Sequence, residues 1–330
     1  MAVIRKFVSL LVVLALTAAA GFTYWSRQPV MPRAVAPLEA SIAPGSSLRS
    51  ALRQLHHAGV PASPLPMEAL ARVRGTPRVI AGSYQIDSQI TPMGLLDALA
   101  RGDTIKDSLT IIEGWSFAQM RTGMARQTYL RQDSAGMDDS VLLQRVAPGY
   151  LHPEGLFYPD TYVYERGTSD LVLLQQAHQR MLKMLAEAWG KRAIDLPYAS
   201  PYEALIMASI IEKETGHEAD RTRVASVFIN RLKLGMPLQT DPTVIYGMGA
   251  AFDGNLRKRD LLADTPYNTY SRRGLPPTPI SLPGRRSLDA ALHPAPGSDL
   301  YFVARGDGRS EFSGNLEDHN RAVNRYQRGM

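Results

Sequence analysis

The sequence predicts an α+β protein: an N-terminal transmembrane helix, a small mixed module, then a larger mixed α+β domain. Three observations lead there. Residues 7–25 run without one charged side chain. Beyond them, short alternating segments that read as strands stand between helical segments, without the regular βαβ alternation of a parallel sheet. The composition, 45% apolar over 330 residues, suits a filled core and two modest domains.

The expected divisions are a cytoplasmic tail at residues 1–6, an anchor at 7–25, a linker at 26–40, a module at 41–105 and the main domain at 106–330. Arg5 and Lys6 precede the apolar run, and Tyr24 and Trp25 close it where an interfacial aromatic belt lies. At ~1.5 Å per residue the run approaches the ~30 Å of a bilayer core. Positive charge before it and a large domain after it predict an N-terminus-inside, single-pass orientation. The small residues Thr17, Ala18, Ala19 and Ala20 offer a signal-peptidase site as the alternative, but length and aromatic flank favour retention. Both readings send the rest of the chain across the membrane, away from cytosolic nucleotides.

Pro29, Pro32 and Pro37 predict an extended linker. In the module, residues 42–47 read as a strand end and turn. Leu48, Leu52 and Leu55 then recur at helical spacing over residues 48–58, and Gly59 stops the helix. Residues 80–86 alternate like a strand. Thr91-Pro92 opens a second helix through Leu95, Leu96 and Leu99 that Gly102 closes. Residues 111–114 read as strand and turn, with Ser116 capping the helix after them. Residues 158–162 read as an aromatic-rich turn. Residues 171–189 form an amphipathic helix with Leu174, Ala177, Met181, Met184, Leu185 and Ala188 on one side.

The net charge is +6, from 37 basic and 31 acidic residues, and there is no cysteine. Disulfides, thiol nucleophiles and cysteine-bound metals are excluded. A basic surface suits polyanions, but a solvated face is the preferred reading.

Chemistry concentrates after Ser200-Pro201-Tyr202-Glu203, a capping-box pattern with proline at the first helical position. The helix that follows is apolar on every side through Ile211, so it is expected to be buried. It ends in Glu212-Lys213-Glu214-Thr215-Gly216, with Gly216 as the expected stop. Residues three, four and seven apart share a helix face, so Glu214 lies with Met207, Ile210 and Ile211. Apolar neighbours raise a carboxyl pKa and keep it protonated near neutrality, as a general acid requires. Glu212 points roughly 200° away around the axis, so the two carboxyls cannot face one bond. On the residues alone the plainer alternative stays open: two glutamates at a solvated helix end, partnered by Lys213 and Arg221. Residues 224–232 read as a second buried helix. Residues 235–243 and the pair 267–270 and 274–280 read as two polar loops. Their amides, hydroxyls, tyrosines and rigid prolines suit a sugar-binding groove, or equally two well-ordered loops.

These strings resemble the YceG-like family, the endolytic murein transglycosylases of the MltG type. The resemblance rests on residues 208–215, 224–232, 238–247, 267–270 and 274–277. His293-Pro294-Ala295, residues 301–304 and His319-Asn320 continue it in family order. Residues 155–162 match strongly, and residues 42–102 are similar to the family's LysM-like module. The resemblance implies a single-pass inner-membrane enzyme whose catalytic domain lies in the periplasm and cuts peptidoglycan glycan strands internally, without a cofactor or metal. It places the catalytic carboxyl on Glu214. Glu214 would protonate the oxygen between N-acetylmuramic acid and N-acetylglucosamine, then take the proton of the muramic C6 hydroxyl. That hydroxyl attacks the anomeric carbon and leaves a 1,6-anhydro end, so no second carboxylate is needed. Gln239, Thr240, Asp241, Tyr246, Asn268 and Tyr270 are the expected substrate-binding residues. The implied partners are glycan strands, the inner membrane and the peptidoglycan synthases (penicillin-binding proteins), with the enzyme terminating strand growth. Thr278 stands where the family pattern has glycine, and Arg272 and Arg273 are more basic than the pattern.

Two rivals remain. One is a water-using muramidase with Asp241 as second carboxylate. The other is a non-catalytic wall-binding scaffold. Metal and nucleotide readings are weak: His217-Glu218 lacks a second histidine, and Gly247-Met248-Gly249 has the wrong spacing to Gly254. Placement across the membrane argues against nucleic acid.

Overall fold

The computed structural model describes residues 2–31, 36–75 and 78–329. Residues 32–35 of the expected linker, Pro32 among them, and Met1 of the expected tail lie outside these. Helix α1 (Ala2–Trp25) covers the expected anchor and extends it back through Lys6 and Arg5. Its Val3–Trp25 stretch has 23 residues and mean hydropathy 2.0, long and apolar enough to cross a membrane. Its leucines and valines face outward, more than half exposed.

The described chain divides into two units: one runs to Asp107 and includes Val163–Thr168, the other holds Ser108–Tyr162 and the residues from Ser169 on. The first unit carries β1 (Leu38–Ile42), α2 (Leu48–His57), α3 (Pro64–Arg74), β2 (Gly82–Ile86) and α4 (Pro92–Arg101). Strands β1 and β2 are antiparallel, from Leu38 opposite Ile86 to Ile42 opposite Gly82. Local chemistry sets the ends. Ser47 and Thr91 accept hydrogen bonds from the backbone N–H three residues on, and Gly102 turns left-handed with φ 70°. Leu52, Leu55, Met67, Ile86, Leu95 and Leu99 form the core, each contributing roughly 1.5–3 kcal/mol by burial.

Two expectations are corrected here. The described parts of the expected linker, residues 26–31 and 36–40, are not a free extended segment. Ser26 and Met31 are buried, and Phe22, Trp25 and Val30 pack on the module core. Val30 N–H donates to Ile90 O (2.8 Å) and Met93 N–H to Ser26 O (3.2 Å), while residues 38–40 belong to β1. The proline spacing was a weaker determinant than the apolar side chains between the prolines. Helix α3 was not expected, although Ser63-Pro64 opens it and Gly75 closes it; it buries Met67, Leu70 and Ala71.

Strand β3 (Lys106–Thr110) pairs with β4 (Thr161–Glu165). Residues 111–114 therefore follow a strand rather than form one, and the aromatic turn at 158–162 runs into β4. The second unit is mainly helical: α5 (Phe117–Ala125), α6 (Asp139–Val146), α7 (Asp170–Gly190), α8 (Pro201–Glu214), α9 (Glu218–Lys233), α10 (Asp241–Met248), α11 (Lys258–Leu262) and α12 (Arg285–Leu292). An antiparallel hairpin, β5 (Tyr301–Ala304) and β6 (Ser310–Ser313), and α13 (Leu316–Gln327) complete it. The fold class is mixed α+β.

Helix α8 is the axis of this unit. All side chains from Ala204 to Ile211 are buried, and α12, α9, α7 and α10 surround it. The capping box closes one residue early: Ser200 Oγ accepts from Glu203 N–H, but the Glu203 carboxylate accepts from Ala199 N–H (2.6 Å). The one polar residue of the buried run ties the proline-rich loop to the helix. Ser209 Oγ accepts from Ile280 N–H (3.0 Å), and Ser209 O accepts from Ser281 Oγ (3.0 Å). Gly155 (φ 80°) allows the close approach of that loop, since a Cβ there would run into Pro279.

Candidate active site

Helix α8 ends in three charged side chains aimed in three directions, because successive residues turn by ~100°. Glu212 points into the protein. Its carboxylate accepts from Gly284 N–H (2.9 Å) and from Arg221 Nη1 (3.4 Å), and Arg221 also donates to Ser287 Oγ (2.6 Å). Lys213 is exposed and donates to Gly114 O (3.3 Å). Glu214 is half-buried and faces the floor of a cleft. The plainer alternative of two solvated glutamates does not hold. Gly216 does not stop the helix: Thr215 does, by turning extended (φ −140°, ψ 128°), after which its Oγ1 accepts from His217 N–H (3.1 Å).

Glu214 lies on the face of Met207, Ile210 and Ile211, all fully buried. Burial pushes its carboxyl up to about 7, and the nearby Asp241 charge adds to the rise; the Thr240 hydrogen bond and the Arg231 guanidinium oppose it. The loop leading to Thr240 is built to aim that hydroxyl. Gln239 is held at φ 52°, a conformation that costs a non-glycine residue about 1–3 kcal/mol. Two hydrogen bonds hold it: Gln239 N–H to Thr269 O (3.0 Å) and Thr240 N–H to Thr269 Oγ1 (3.1 Å). Thr240 Oγ1 donates to the Glu214 carboxyl.

The expected site residues divide among four places. Gln239, Asp241 and Tyr270 line the Glu214 cleft, a cavity of about 620 Å³. Tyr270 Oη donates to Asp241 Oδ1 (2.6 Å), which occupies that carboxylate at the start of α10. The stretch 235–243 is thus a loop only to Thr240. Thr240 is almost fully buried and touches Glu214 rather than the open cleft. Asn268 is corrected: it is buried and its Nδ2 donates to the carbonyls of Asp260, Leu261 and Ala263, while its Oδ1 accepts from Tyr270 N–H. It staples a loop and offers nothing to a sugar. Tyr246 stands apart from the Glu214 cleft: it lines a second cavity that α10 also borders.

Sequence reasoning assigned no role to Arg231, Tyr301, His319 or Asn320, all of which line the cleft. Arg231 is buried and donates to Leu300 O (2.7 Å) and Leu238 O (2.9 Å), with Tyr301 beneath its guanidinium. The Tyr301 ring stacks on His319, 5.1 Å between centroids. The usable signal was the strings at 301–304 and 319–320, which lie far from Glu214 in sequence.

Fold and site together define an α+β scaffold with one proton-carrying carboxyl at the floor of a polar cleft. The chain belongs to the YceG-like family, whose model matches residues 40–325. A relative from Bacillus subtilis, named endolytic murein transglycosylase, is 32% identical and aligns over 91% of this chain and 87% of its own length. One of the same name from Streptococcus pneumoniae is 27% identical over 97% of this chain, which covers 65% of that relative. A solved YceG-like protein from Listeria monocytogenes superposes with a TM-score of 0.55 at 30% identity, covering 87% of this chain and 99% of that one.

Proposed function

We propose that this chain is a membrane-anchored endolytic lytic transglycosylase that cuts the bond between N-acetylmuramic acid and N-acetylglucosamine in peptidoglycan. The observation that carries the reading is Glu214: a carboxyl held up to about 7 by burial, opening on a polar cleft. Near neutrality it exists in both protonation states, as a group that serves first as acid and then as base requires. Glu214 donates its proton to the glycosidic oxygen as that bond breaks. It then removes the proton of the muramic C6 hydroxyl, whose oxygen bonds to the anomeric carbon. The proton returns to Glu214, and the products are a free N-acetylglucosamine end and a 1,6-anhydro end. Gln239, Asp241 and Tyr270 position the sugars, and Thr240 positions Glu214. Asp241, held by Tyr270, suits positioning better than the activation of water.

In this reading α1 is a retained single-pass anchor in the inner membrane, and the catalytic domain of residues 106–330 works in the periplasm beside the peptidoglycan synthases, ending strand growth. The β1-α2-α3-β2 order, two helices between antiparallel strands, supports a LysM-like module at residues 41–105. Mass spectrometry of digested sacculi tests the chemistry. The expected products end in 1,6-anhydro-muramic acid, one water lighter than the reducing ends of a hydrolase. Reducing ends alone would put a water-using muramidase in its place.

The pH profile gives a second check. The Thr240 hydrogen bond favours the Glu214 carboxylate, so Thr240→Val leaves the acid form favoured and moves the pKa further up. Cutting depends on protonated Glu214, so the alkaline limb near pH 7 is expected to move to higher pH in Thr240→Val. An unmoved limb would detach Thr240 from the titrating group.

A further inference from the structure

A second cavity, of about 840 Å³, lies in the same unit as the Glu214 cleft. Helix α10 borders both, with Asp241 on the cleft side and Pro242 on the other. The last two residues of α8 divide between them in the same way, with Glu214 in the cleft and Lys213 at the second cavity. Glu154, Tyr246 and Tyr267 give the second cavity its polar lining. The Glu154 carboxyl is almost fully buried and accepts from Phe117 N–H (2.9 Å). Thr278 Oγ1 meets Tyr267 Oη at 2.8 Å, and the Tyr267 and Tyr246 rings meet edge to face, 5.0 Å between centroids. Thr278, the departure from the family pattern, thereby holds Tyr267. Ala118 and Ile245 give the cavity apolar wall.

Lys213 supplies the positive charge here. Its hydrogen bond runs to a neutral carbonyl, and among the described residues no carboxylate pairs with it. The sugars of peptidoglycan are N-acetylated and neutral, and the muramic lactyl group is spent in an amide to the stem peptide. The anionic groups of the polymer are the carboxylates of those stems. We infer that this second cavity is a stem-peptide site. Lys213 pairs with a stem carboxylate, Ala118 and Ile245 take the small apolar side chains, and the Tyr246–Tyr267 pair meets the peptide amides. Adjacency on α8 couples the two events: the muramic residue held at Glu214 presents its stem to Lys213. Pockets of this size with apolar walls and a few fixed polar groups suit ligands of peptide dimensions.

This inference rests on the proposed glycan cutting, and a binding measurement separates the two. The first experiment compares stem-bearing strands with strands stripped of stems by an amidase, as the ratio of their kcat/KM values. That ratio is expected to favour stem-bearing strands, to fall about tenfold in Lys213→Met, and to recover in Lys213→Arg. An unchanged ratio, or equal losses on both substrates, overturns the stem site. The second titrates a soluble stem peptide and its carboxyl-amidated form against Glu214→Gln protein by NMR, with no cutting needed. Stronger binding of the carboxylate form supports the site, and equal binding of the two forms overturns it. If wild-type protein cuts neither kind of strand while the peptide preference holds, the catalytic reading fails and the stem site stands.

Discussion

Glu214→Gln is expected to leave a folded protein whose glycan cutting falls by roughly 10²–10⁴-fold, the usual worth of general acid–base catalysis. The amide keeps the shape of the side chain and can still accept from Thr240 Oγ1. It cannot deliver a proton to the leaving oxygen or take one from the attacking hydroxyl. Because burial disfavours the charged carboxylate at this position, the neutral amide relieves a cost, and folding stability is expected to hold or rise slightly. Release of soluble muropeptides from purified sacculi measures the activity, and urea unfolding measures the stability. Full cutting by a folded Glu214→Gln protein would remove the catalytic assignment and favour a wall-binding scaffold.

Glu212→Gln is expected to do the reverse, with a large loss of stability and a smaller effect on chemistry. The Glu212 and Arg221 side chains are only 7% and 9% exposed. Removing one partner of a buried ion pair strands the other charge and costs about 3–5 kcal/mol. Arg221 keeps its hydrogen bond to Ser287 Oγ, so the lower end, about 3 kcal/mol, is expected. The same change loosens Gly284, whose N–H the Glu212 carboxylate accepts, and with it the start of α12. Equilibrium unfolding of the two variants side by side decides the matter. A Glu212→Gln protein as stable as wild type but unable to cut would reverse the roles of the two glutamates.

That division of labour was partly legible in the sequence, because helical geometry is local. An apolar run through Ile211 followed by Glu-Lys-Glu requires the two carboxyls to diverge, and it sets Glu214 on the face of Met207 and Ile210 whatever surrounds them. The N-terminal apolar helix, the α2 and α4 caps and the amphipathic α7 were readable for the same reason: hydrophobic period and capping act within a few residues.

Other features depended on contacts between distant segments, which no local pattern encodes. Ser26 to Met31 read as linker because prolines signal extension, yet Met31 is drawn into the module core by apolar neighbours up to about 70 residues away. Asn268 and Tyr246 read as sugar contacts because polar side chains on loops suit either binding or bracing. Tertiary structure decided for bracing at Asn268, whose amide is consumed by three carbonyls, and set Tyr246 at the second cavity rather than in the Glu214 cleft. Glu154 itself carries no local mark; only folding buries it and raises its carboxyl to about 7. The sequence by itself determined the N-terminal apolar helix, the mixed α+β class and the direction of Glu214. The partners of each polar group, and with them the second cavity and its unpaired lysine, were decided by packing, because burial and hydrogen-bond satisfaction are properties of the whole fold.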